Sequence, residues 1–183
     1  MGRVRAEVRY RRAMVDDVPL LVNHRHCMWV DIGNRTEAEV AEHDDRYRIW
    51  ARPRLRSGKL AGCIAESPDG SAVASGLVWF RPDQPRPKLS TLVSPYLLSM
   101  YTEPAWRGKG IATRIVRELL VVCREAGYPN AELHASRFGR RVYSRLGFER
   151  TWEMRTWLDR RYAPTTILAT ARRKGKKGLD RGR

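Results

Sequence analysis

The chain is short of several things, and each shortage excludes a class of protein. Of its 183 residues only three are cysteine, Cys27, Cys63 and Cys123. An odd, widely spaced trio makes no disulfide framework, so a reducing, cytoplasmic setting is the expectation. No stretch approaches the roughly 18 consecutive apolar residues of a membrane-spanning helix, which predicts no membrane partner. The first residues, Met1-Gly2-Arg3-Val4-Arg5, lack the apolar centre of a secretory signal. Acidic side chains are scarce too, 20 against 36 Lys and Arg, for a net charge of +16. That excess is uneven: residues 160–183 hold nine basic residues and a single acid, Asp180. They read as a solvated basic tail, able to touch nucleic acid weakly and without sequence preference. The tail follows one folded domain over residues 1–159. With 42% hydrophobic residues, the chain has enough apolar surface to bury a core.

The most specific stretch runs from residue 96 to residue 123. Tyr96, Leu97, Leu98 and Met100 suit a buried strand that stops before Pro104. Gly108 and Gly110 follow, and then an amphipathic helix with Ile111, Ile115, Leu119, Val122 and Cys123 on one side. Glycines let main-chain N–H groups approach a ligand closely, and a helix N-terminus favours anions through its unpaired amides and dipole. Together these make a diphosphate cradle. A dinucleotide fingerprint is excluded, because Thr113 stands where its third glycine belongs. A P-loop is excluded as well, because Lys109 is followed by glycine rather than Ser or Thr.

Around this stretch the pattern predicts a strand over Val4–Arg12 and a helix from Asp16-Asp17 to about Val30. A capping box at Thr36 and Glu39 opens a polar helix expected to end at about Arg52, before Pro53. Strands follow over Leu60–Ala65 and Ala72–Phe80, joined by a turn at Ser67-Pro68-Asp69-Gly70. Four prolines make Arg81–Pro95 a loop. Gly127 stops the amphipathic helix. A strand over Ala131–Ala135, a helix over Phe138–Leu146 and a strand over Phe148–Leu158 complete the domain, with one more strand expected over Thr165–Thr170. Hairpins that give way to β-α units imply an α/β fold: a mixed sheet, antiparallel in its first half and parallel in its second, flanked by about four helices.

Arg107-x-x-Gly110-x-Ala112, followed by Tyr143-x-x-Leu146-Gly147-Phe148, resembles the GCN5-related N-acetyltransferase (GNAT) superfamily over about residues 4–158. The resemblance implies a sheet whose fourth and fifth strands splay apart around acetyl-CoA as acyl donor, with no metal. It also implies transfer of the acetyl group to a primary amine by direct attack. Carried over, the amides of Arg107, Gly108, Lys109, Gly110, Ile111 and Ala112 hold the pyrophosphate, and Met100, Tyr101 and Thr102 run beside the pantetheine arm. Ser136 stands where many members have an asparagine that contacts the arm, and a hydroxyl lacks that residue's reach and second donor. Arg140 is a phosphate partner. Tyr143 takes the place of the general acid. Glu103, by its own position at the strand end, either deprotonates the amine through water or faces solvent at the turn, with the amine arriving already neutral. Dimers are common in that family, so a homodimer is a candidate assembly. The alternative function is a non-catalytic regulator that holds an acyl-CoA or nucleic acid on the same fold.

Other candidates read more plainly. His24 and His26 point to different helix faces, which argues against a metal site. Cys123 belongs to the apolar stripe, and Trp50, Trp79 and Trp152 read as packing. His134 is either a core histidine or part of the acceptor site. In the family the first two helices shape acceptor choice, which makes Trp29, Asp31 and Asn34 candidates for that pocket.

Overall fold

A computed structural model describes residues 7–33, 35–85, 92–156 and 158. The chain divides into two units, residues 1–148 and 149–183. The first unit contains β1 (Arg9–Arg12), α1 (Val18–Ile32), α2 (Glu37–Ala41), α3 (Asp44–Arg56), β2 (Leu60–Glu66) and β3 (Ala72–Pro82). It continues with β4 (Val93–Thr102), α4 (Ile111–Glu125), β5 (Glu132–Leu133) and α5 (Arg140–Arg145). The sheet order is β1-β2-β3-β4-β5. The first four strands are antiparallel and β5 lies parallel to β4, the mixed sheet implied by the element order.

Alternation along the strands sorts the core onto two faces. Cys63, Ala65, Val78 and Leu97 pack against Ile111, Ile115, Leu119 and Cys123 of α4. Their neighbours Ile64 and Leu77 turn the other way, with Leu60, onto Val18, Leu21 and Val22 of α1 and Tyr47 and Ala51 of α3. Half-buried Arg11 joins these layers at one edge, pairing with Asp17 ahead of α1 and with Glu66 on β2.

Several boundaries differ from the sequence expectation. The capping box forms, with Thr36 N–H donating to Glu39 (2.7 Å) and Glu39 N–H to Thr36 Oγ1 (3.3 Å). The helix it opens nevertheless stops at Ala41 and restarts at Asp44. Asp44 and Asp45 suit a new helix N-terminus, and Asp44 is held there by His26 Nδ1 at 2.7 Å. Pro53 lies inside α3 rather than beyond it. It forfeits one helical bond, yet Ser57 N–H closes the last turn onto its carbonyl at 3.0 Å. Pro95 falls within β4, opposite Phe80, and not in a loop. It precedes the first residue that β5 pairs, so β4 has a single strand neighbour there and a missing donor is tolerated. β5 shortens to two residues. In the second unit, residues 149–156 and 158 carry no regular secondary structure, which corrects the strand expected up to Leu158. The strand expected over 165–170, the whole basic tail and Asn34 lie outside the described residues.

Candidate active site

The site begins with an irregularity in β4. Its register against β3 steps from Ser75↔Tyr101 to Leu77↔Leu98, so Ser99 and Met100 together face Gly76. Ser99 takes a positive φ of 52°, alone among the described non-glycine residues. Tyr47 Oη on α3 stands 3.4 Å from its hydroxyl. Gly76 makes the bulge possible: a Cβ there would overlap Met100 Sδ and lie 2.8 Å from Ile115 Cγ2. On the other side β5 pairs only Tyr96 and Leu97. From Leu98 to Thr102, β4 therefore has no second strand neighbour among the described residues, and the sheet opens there.

The chain then turns into α4. Glu103 N–H bonds Val73 O at 2.8 Å, and a 3-10 turn over Pro104–Trp106 leads to Gly108 (φ 75°) and Gly110 (φ 82°). A Cβ at either glycine would meet nothing within 4 Å, so the left-handed backbone, not crowding, demands glycine. Gly110 caps α4, whose first regular bond is Arg114 N–H to Gly110 O at 3.1 Å. The amides of Gly108 through Thr113 have no acceptor among the described residues. Residues 107–110 are exposed, while the buried Ile111 side chain anchors the helix start. The result is an exposed run of donors at the positive end of a 15-residue helix. Lys109 Nζ rests 4.4 Å over the Trp106 ring. The Arg107 side chain folds back as a strut, its Nε donating to Thr102 O at 2.8 Å and its guanidinium paired with Asp31 of α1.

Tyr143 leans toward the N-terminus of α5, as helical side chains do. Its ring lies over Gly139, where a Cβ would stand 2.6 Å from Cε2, and meets Phe148 edge-on at 5.8 Å. Burial pushes the phenol up to about 12, so it is protonated at neutral pH. Ser136 Oγ accepts Gly139 N–H at 3.3 Å and so serves the start of α5. Arg140 is the exposed first residue of that helix.

At the end of β4, Tyr101 Oη donates to Glu103 Oε2 at 3.3 Å. Burial, with Cys27 and Glu103 nearby, raises the Tyr101 phenol well above its usual range. His24 is buried against the Tyr101 ring, 5.1 Å between centroids, with Nδ1 2.9 Å from Ser75 Oγ. Burial lowers its pKa, which favours the neutral ring. His24 and His26 thus turn to separate partners, Ser75 and Asp44. No group of three or more metal-ligating side chains gathers among the described residues. Cys123 sits in the core, His134 is exposed just past β5, and Trp29 is partly exposed on α1. The Arg107–Asp31 strut, the Tyr47–Ser99 contact and the His24–Ser75 pair escaped sequence reasoning. The one signal for them was a polar residue set in an otherwise apolar run.

Comparison with known proteins agrees with this geometry. The sequence profile of the Acetyltransferase (GNAT) family matches residues 18–148. A GCN5-related N-acetyltransferase from Ralstonia eutropha superposes with a TM-score of 0.77 at 28% identity, covering 83% of this chain and 99% of that one. A predicted acetyltransferase from Clostridium acetobutylicum, crystallised with acetyl-CoA, gives 0.76 at 29%, covering 86% and 99%. An aminoglycoside N-acetyltransferase in complex with CoA shares the fold at 18% identity, with a TM-score of 0.67 over 87% and 99%. No curated protein matches the chain by sequence. A profile spanning α1 to the end of α5, on a sheet that parts beside a glycine-turned helix, leaves one assignment: the chain belongs to the GNAT family of acetyltransferases.

Proposed function

We propose that the protein transfers an acetyl group from acetyl-CoA to a primary amine by direct attack. The observation that carries this reading is the run of amides from Gly108 to Thr113, without acceptors among the described residues, beside the open edge of β4. Main-chain donors at a helix N-terminus suit a diphosphate. A strand edge without a partner suits the amide-bearing pantetheine arm, which can hydrogen-bond along Met100, Tyr101 and Thr102. Acetyl-CoA supplies the acyl group as a thioester.

The chain's own residues then have limited work. A neutral amine nitrogen bonds to the carbonyl carbon as the carbon–sulfur bond breaks, and Tyr143 gives its proton to the departing sulfur. Glu103, through water, takes the proton the amine loses, and Tyr101 holds that carboxylate in place. Ser136 Oγ accepts Gly139 N–H and keeps its own O–H to donate to the arm, one hydrogen bond where many members offer an asparagine. Calorimetric titration with CoA and release of free thiol from acetyl-CoA across a panel of primary amines test the reading. The expected result is saturable CoA binding, with thiol released only when an accepted amine is present. Binding with no release on any amine would replace this reading by that of a non-catalytic acyl-CoA carrier.

A further inference from the structure

We infer that the protein carries a second ligand site, for a small aromatic carboxylate, at the end of the sheet away from the diphosphate cradle. β3 runs on to Pro82, whereas β2 begins only at Leu60, opposite Trp79. The last residues of β3 therefore project past β2 and leave a notch. The notch is a cavity of about 520 Å³, within the roughly 300–1,000 Å³ typical of small-molecule sites. Three aromatic rings, Trp79, Phe80 and Tyr128, line it. Trp79 meets Trp50 edge-on at 5.4 Å on the α3 side, and Phe80 stacks on Tyr128 at 5.2 Å on the α4 side.

Its charge has one sign. Arg54 and Lys59 line the cavity, and among the described residues no Asp or Glu does. Arg54 is fixed in place, 4.7 Å over the Trp50 ring with Nη1 donating to Trp50 O at 2.8 Å, which leaves the rest of its fork available. Lys59 is exposed and has no ion-pair partner among the described residues. Apolar rings with two cations and no acid complement an aromatic body bearing a single carboxylate. The site is also remote from the cradle. It includes Ala126 and Tyr128, beyond the C-terminus of α4, and Val93, where β4 starts, while the cradle adjoins the other end of both elements. A 15-residue helix is about 22 Å long.

The test titrates the full-length protein, already saturated with CoA, with hydrocinnamate and with its uncharged amide, following tryptophan fluorescence. Saturable one-site binding is expected, with the carboxylate favoured by about threefold to fivefold, the value of one partly exposed ion pair. Lys59→Gln, at an exposed side chain, should lower that preference to what Arg54 alone supplies, while the amide binds as before. Lack of saturation, equal affinity for the two probes, displacement by CoA, or an unchanged preference in Lys59→Gln would each overturn the inference.

Discussion

Replacing Gly110 by alanine tests the cradle through its backbone. Gly110 holds φ at 82° as the residue that caps α4. An added methyl would meet nothing within 4 Å, so the whole penalty is conformational. Holding an L-residue in that left-handed region costs about 1–2 kcal/mol. If the turn keeps its shape, the penalty appears as lost stability, roughly 2–8 °C in melting temperature for a domain of this size. If the turn relaxes instead, the amides from 108 to 113 cease to converge. The same energy then appears as about fivefold to thirtyfold weaker CoA binding. The two losses together should account for about 1–2 kcal/mol. Thermal melts with and without CoA, alongside calorimetry, measure both. A Gly110→Ala protein that melts and binds like the parent, within about 0.3 kcal/mol, would refute the argument that this turn is held open for a ligand.

Two further outcomes follow from the buried ionisable groups. Tyr143→Phe keeps the ring packed on Phe148 and removes only the hydroxyl; turnover should fall about 100-fold with little change in the KM for acetyl-CoA. Because burial pushes this phenol up to about 12, the parent's rate should show no alkaline loss assignable to Tyr143 near pH 10; undiminished turnover in the variant would remove the residue from the mechanism. His24 has a pKa lowered below its ordinary 6.5, so the unfolded chain takes up a proton that the folded chain refuses. Its contribution to stability is therefore complete above that value and lost as pH falls through and below it. Denaturant midpoints should drop on acidification and drop less steeply in His24→Gln, and parallel pH curves for the two proteins would exclude His24 as the cause.

The parts of the fold governed by local chemistry could be read from the chain. The stripe from Ile111 to Cys123 is a helix packed on that face, and the Thr36–Glu39 box does open a helix. Features set by distant partners could not. The run Leu98-Ser99-Met100 looks like continuous strand, and nothing local marks a bulge whose cause is the space left by Gly76 across the ladder. Pro53 and Pro95 run against the local pattern because one still accepts the Ser57 bond that closes its helix and the other sits where β4 has one strand neighbour. The glycine turn was legible because its geometry is intrinsic to residue type. Arg107's hold on Asp31 was not, because it spans 76 positions.

The parting of β4 and β5 after a mere two paired residues has a wider meaning for the protein's chemistry. A cleft bordered by peptide groups reads its guest through features that any side-chain sequence can present. Under the proposed function, donor recognition rests on the path of the main chain, which leaves side chains elsewhere free to vary with the acceptor.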